Sequence, residues 1–121
     1  MGERTETVTD QLDAEDAKIV TLARSARARI GAAEGSAVRD TDGRTYTGCT
    51  VRTATLRLSA LQVAVANAFS SGAEGLEAAA VVTEAEEVDS DSVAAVRDLA
   101  SGAPIFRAGG DGRVVEVSRS S

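Results

Sequence analysis

The chain has 121 residues, a formal net charge of −6, one cysteine and no histidine. That length fits one domain, since single domains usually run about 100–200 residues. The acidic balance excludes general nucleic-acid binding, because phosphate backbones are repelled and no basic stripe with interleaved aromatics is present. The missing histidines exclude the ordinary serine–histidine nucleophile, and the single cysteine excludes any zinc site built from one histidine or cysteine plus two cysteines.

With no tryptophan, one tyrosine and two phenylalanines, the core must be filled by alanine, valine and leucine. A domain of this size buries roughly two-thirds of its unfolded surface. Small side chains let helices come close to a sheet, but each contributes little burial, so self-association is expected to add stability. One cysteine cannot make an internal disulfide. No stretch resembles a signal peptide or a spanning apolar run, and the expected location is the cytoplasm, with no membrane contact.

Met1 to about Gln11 is polar and without periodicity, and residues 1–12 are expected to be a flexible lead-in. A helix is predicted from Asp13, where Asp13 and Asp16 suit the positive end. Ile19, Leu22, Ala23, Ala26 and Ile30 recur at helical spacing and Gly31 ends the run. Arg24, Arg27 and Arg29 lie off that stripe and read as a solvated face. Ser36–Asp40 and Thr45–Val51 are β-prone runs around Asp42-Gly43, which predicts a hairpin.

The second strand is expected to lead without a break into the most apolar helix, Leu56 to Ser70. That helix is apolar nearly all round, so burial on most sides is expected. Glu77–Thr83, with Ala-Ala-Ala-Val-Val, predicts a central strand covered on both faces. The acidic loop Glu84–Asp91 reads as solvated, since Ala94 stands where a calcium loop counted from Asp89 needs glycine. A third helix is predicted over Ser92–Leu99, with Val93, Val96 and Leu99 on one face. Pro104–Arg107 and Arg113–Val117 read as strands joined by Gly109-Gly110-Asp111-Gly112, a hairpin turn lacking the lysine and following helix of a phosphate loop. Helices alternating with strands predict a three-layer α/β/α domain over residues 13–118, with a mixed five-stranded sheet and a tail at 119–121.

This order resembles the cytidine deaminase fold. Asp42-Gly43-Arg44-x-Tyr46-x-Gly48-Cys49-x-Val51 is similar to the family stretch in which a D-G-R turn leads into a strand ending G-C-N-V-E-N-A-S, and Ala54-Thr55 continues it. The helix ending Ala68-Phe69-Ser70-Ser71-Gly72 resembles the family's C-A-E-R-x-A helix and its close. Ala79-Ala80-Val81-Val82 resembles the strand before P-C-x-x-C, and Ala103–Phe106 with Arg113–Val117 resembles the closing hairpin.

The resemblance implies zinc-dependent nucleoside deamination, and at each functional position this chain departs from it. The helix ligand falls at Ser59 and the catalytic Glu at Leu61, where a hydrocarbon removes the general acid/base. The two cysteines of P-C-x-x-C fall at Ser90 and Val93, or at Asp89 and Ser92 if the register shifts by one. The Asn and Glu that hold the ribose fall at Thr50 and Arg52, and the base-stacking phenylalanine at Ala32. The helix starts about two residues early relative to the family, which moves the lip of the pocket. Cys49 matches a strand cysteine of the family, not a ligand, and is expected to be buried and inert.

These substitutions predict a catalytically inactive cytidine deaminase-like protein with no cofactor, neither metal nor covalent chemistry, and a structural or interaction role. By resemblance it forms a homo-oligomer, a dimer or tetramer, and it could pair with an active deaminase as an accessory subunit. The alternative from another class is a small-molecule binding module that holds a nucleoside or nucleobase-like ligand in the old pocket, against Ser59, Leu61 and Val93.

Overall fold

Local chemistry sets the first helix. In the computed structural model, which describes residues 2–7 and 12–120, α1 spans Ala14–Ile30 with Asp13 as its cap, the carboxylate accepting the Asp16 N–H at 2.9 Å. Gly31 ends it in the left-handed region, φ 65°, a conformation glycine adopts without a Cβ penalty. Ile19, Val20, Ala23 and Ala26 are buried, whereas Ile30 is 65% exposed. The apolar stripe therefore runs one turn past the part of the helix that the sheet covers.

Strands β2 (Gly35–Asp40) and β3 (Thr45–Cys49) pair antiparallel across the expected Asp42-Gly43 turn. The chain then departs from the expected continuous strand-to-helix run. β4 (Val51–Arg52) and β5 (Arg57–Leu58) form a separate two-residue ladder. Between them Thr53 and Leu56 close a turn, through Thr53 N–H to the Leu56 carbonyl at 2.9 Å. Helix α2 is correspondingly short, Ala60–Ser70. Its start is fixed by a reciprocal box: the Gln62 N–H donates to Ser59 Oγ at 3.1 Å and the Ser59 N–H to Gln62 Oε1 at 2.9 Å. Apolar periodicity carried the expected helix back to Leu56 because it does not register such a cap.

β6 (Leu76–Val82), α3 (Ser90–Leu99, capped by Asp89), β7 (Ile105–Ala108) and β8 (Val114–Ser120) complete the expected order. A further strand, β1 (Glu3–Thr7), pairs antiparallel with β8, Glu3 opposite Ser120 and Thr7 opposite Glu116. The main sheet thus has six strands rather than five, in the order β1-β8-β7-β6-β2-β3, and only β6 and β7 run parallel. Residues 3–7 are in a strand where a flexible lead-in was expected, and Arg119 and Ser120 belong to β8 where a tail was expected. Residues 1, 8–11 and 121, also within those expected segments, lie outside the described residues. All five β1 side chains are exposed, so no alternation marked the strand. Arg97 holds it instead: Nη2 donates to Glu3 Oε2 at 2.9 Å, and Nη1 donates to the Ala103 carbonyl at 2.6 Å.

The layers follow from strand alternation on β6. Ala78, Ala80 and Val82 face α1 with Ile19, Val20, Ala23, Ala37 and Phe106. Ala79 and Val81 face α2 and α3 with Val38, Leu61, Ala64, Val65, Val96 and Ile105. Small residues are what permit this spacing. A Cβ added at Gly35 would lie 2.2 Å from the Ala23 carbonyl of α1, and one at Gly48 would lie 2.5 Å from the Ala64 nitrogen of α2. Between these contacts the buried Ser36 hydroxyl donates to the Ala60 carbonyl at 2.6 Å. Among the described residues no helix is long and apolar enough to cross a membrane.

The β2–β3 turn is held by a buried carboxylate. Burial pushes the Asp40 carboxyl up, but the Tyr46 hydroxyl at 2.8 Å and the Arg44 and Asp42 amides, each at 2.9 Å, outweigh it. They hold the group below the usual aspartate range. A depressed folded pKa gives stability that is present above the unfolded value and lost as pH falls through the folded one. Asp40→Asn should therefore melt well below the native chain at pH 7. The gap should narrow as pH drops below about 4; thermal melts across that range check it, and a pH-independent gap contradicts the assignment.

Candidate functional site

The carboxyl end of β6 and the N-termini of α2 and α3 converge, the place where ligands bind in open α/β sheets. There a cleft of about 670 Å³ is lined by Glu34, Thr50, Arg52, Arg57, Ser59, Gln62, Thr83, Glu84, Asp89 and Asp91, among others. Its floor is a connected polar network. The hydroxyls of Ser59 and Ser92 are hydrogen-bonded at 2.7 Å, and Ser92 Oγ donates to Asp89 Oδ1 at 2.6 Å. Asp89 Oδ2 accepts the Ser92 N–H at 3.1 Å, which caps α3. The two helix starts are thereby tied to each other through three short side chains, with Ser92 buried.

A second network also lines the cleft. Thr83 Oγ1 donates to Glu34 Oε2 at 2.7 Å and accepts the Ala85 N–H at 3.0 Å. The Glu34 N–H donates to Thr50 Oγ1 at 3.0 Å. Glu84 accepts from Arg27 Nη1 at 3.4 Å.

The structure distributes the expected site residues unevenly. Ser59, Thr50 and Arg52 come together in the cleft. Leu61 does not: it is 1% exposed and sits in the core against the sheet. Val93 likewise packs on that core, and Ser90 is exposed at the first turn of α3. Of the two registers for the third helix, it is the Asp89 and Ser92 pair that reaches Ser59, Ser92 directly and Asp89 through Ser92. Ala32 lines a neighbouring cavity with Arg24 and Arg27, and its carbonyl accepts from Arg27 Nε at 3.3 Å. Glu34, Arg57, Gln62 and Thr83 were not singled out from sequence. The S-x-x-Q pattern of Ser59 and Gln62 was a legible capping signal; nothing local marked Glu34 or Thr83.

These residues do not fit a zinc ion. Zinc is held by thiolate, imidazole and carboxylate, and the three convergent side chains are two hydroxyls, which stay protonated near neutrality, and one carboxylate already spent on capping. Among the described residues no group of three or more His, Cys, Asp or Glu side chains is placed to hold a metal. Cys49 lies away from the cleft on β3, its thiol donating to the Ala26 carbonyl at 3.1 Å.

A family model described as cytidine deaminase-like matches residues 12–112. Solved structures of similar fold include cytidine deaminase from Burkholderia pseudomallei, with a TM-score of 0.72 at 21% identity over 82% of this chain and 88% of that one. Cytidine deaminase from Mycobacterium leprae gives 0.66 at 19% identity, covering 80% and 89%. That from Mycobacterium tuberculosis gives 0.65 at 25% identity, covering 78% and 85%. No curated protein matches the chain.

Proposed function

Because this chain belongs to the cytidine deaminase-like family, we propose that it is a member without deaminase chemistry, retained as a structural or interaction protein. One observation carries the proposal: Ser59, Ser92 and Asp89 satisfy one another at the junction of α2 and α3. By resemblance that junction is where a metal is gripped. Leu61, by resemblance the position of the proton-shuttling carboxylate, contributes only hydrocarbon to the core. Metal analysis of the purified protein should find no stoichiometric zinc, and cytidine should not be turned over; finding either defeats the proposal.

Self-association is part of the same reading. Phe69 is 67% exposed on α2, and Ala66 beside it is also exposed, whereas burial of this helix on most sides was expected. An apolar face left open on an otherwise buried helix suits a second copy of the chain. Phe69→Glu should weaken self-association at least tenfold, read by light scattering over a concentration series, while the midpoint of thermal unfolding of the monomer moves by no more than a few degrees.

The cleft favours a second reading. Its volume of about 670 Å³ lies in the range of small-molecule sites, so a nucleoside-like ligand could be held there without chemistry.

A further inference from the structure

The β4–β5 ladder sets Arg52 directly opposite Arg57. Both are exposed, both line the cleft, and neither has an acidic partner among the described residues. Like charges facing each other across a ladder destabilise a hairpin, and a ladder of two residue pairs has little to offset the repulsion. An anion between the two guanidinium groups turns that repulsion into paired, charge-assisted hydrogen bonding. The adjoining start of α2 adds to the pull, because its first turn carries no acidic residue. The start of α3, by contrast, is already matched by Asp89 and Asp91.

The cleft lining also carries carboxylates. Glu34 is anchored through Oε2 by Thr83, which leaves Oε1 as an acceptor, and Glu84 is exposed and held only by the 3.4 Å contact to Arg27. An anionic head at the arginines and hydrogen-bond donors at the carboxylates describe a bipolar ligand. Two opposed guanidinium groups offer more donors and charge than one carboxylate uses, and match the three oxygens and near-double charge of a phosphomonoester.

We propose that the cleft binds a small phosphomonoester whose other end carries hydrogen-bond donors, in the size class of a nucleoside monophosphate. The phosphate lies between Arg52 and Arg57, and the donors face Glu34 and Glu84. This rests on the reading of the cleft as a site without deaminase chemistry, and it gives the binding alternative a ligand class.

Titration calorimetry of the full chain with cytidine 5′-monophosphate, cytidine and inorganic phosphate tests it. The monophosphate should bind at least tenfold more tightly than either of the others. Arg52→Gln and Arg57→Gln should each weaken it at least tenfold, without lowering the melting temperature of the free protein, since each relieves the cross-strand repulsion. Equal affinity for cytidine and its monophosphate, undiminished binding by both arginine variants, or no binding at millimolar ligand overturns the proposal. Inorganic phosphate binding as tightly as the monophosphate overturns the role given to Glu34 and Glu84. Zinc content and deamination are measured on the same preparation. Zinc with turnover defeats the reading of the site, whereas a zinc-free, inactive protein indifferent to the monophosphate defeats this inference alone.

Discussion

Gly35→Ala and Gly48→Ala should each destabilise the protein by about 3 kcal/mol, the upper end of overpacking costs. Neither effect comes from the turn preferences of glycine, because neither residue has a positive φ. What matters is how near the helices lie. A methyl at Gly35 would stand 2.2 Å from the Ala23 carbonyl and 2.7 Å from the Arg27 nitrogen; one at Gly48 would stand 2.5 Å from the Ala64 nitrogen and 2.7 Å from the Ala60 carbonyl. These neighbours are backbone atoms, so relief requires moving a whole helix off the sheet. Lifting α2 would also stretch the 2.6 Å bond from Ser36 to the Ala60 carbonyl. In thermal melts each variant should lose roughly 10 °C or more. Gly102→Ala, where a Cβ meets nothing within 4 Å, should stay within about 0.5 kcal/mol of the native chain. If all three variants behaved alike, the close packing inferred for α1 and α2 would be wrong.

Ser59→Cys, Asp89→Cys and Ser92→Cys, combined, should give a chain that retains one zinc ion per molecule after dialysis. The three side chains already touch, at 2.7 and 2.6 Å, and three thiolates plus one water complete a tetrahedral site. Without metal the triple variant should be less stable, because it loses two helix caps worth about 1 kcal/mol each. Saturating zinc should restore that loss, since a ligand bound only by the folded state stabilises it. The same exchange at Ser59, Ser90 and Val93 should retain no zinc, because Ser90 is exposed on the first turn and Val93 is packed on the core. If the first variant took up no metal, the convergence of α2 and α3 at this junction would be disproved. Adding Leu61→Glu to the triple variant tests the remaining departure from the family pattern. A carboxyl at a position 1% exposed must be buried or force α2 to turn, so a marked fall in stability is expected with it.

Much of this was legible in the chain itself. Asp13 and Gly31 bracketed α1, Asp42-Gly43 placed the first hairpin, and the Ala-Ala-Ala-Val-Val run marked the central strand, because caps, turns and continuous apolar runs are local signals. The two-residue ladder of β4 and β5 was not legible. Neither strand has enough residues to show a period, and the apolar pattern ran through Leu56 and Leu58 into α2. β1 was hidden for a related reason: Glu3–Thr7 is polar throughout and gains its order from backbone pairing with β8 and from Arg97.

The sequence alone determined the layered α/β class and the want of a histidine–cysteine ligand set, since absent histidines and a single cysteine are facts of composition that no fold can alter. Only the tertiary structure decided which residues meet. It seated Ser92 against Ser59 and Asp89 against Ser92, in place of Ser90 and Val93, turned Leu61 into the core and faced Arg52 with Arg57. The physical reason is that a helix advances its side chains by 100° per residue. A one-residue difference in where a cap begins the helix therefore changes which groups face the cleft, and that choice is made by packing between elements far apart in the chain.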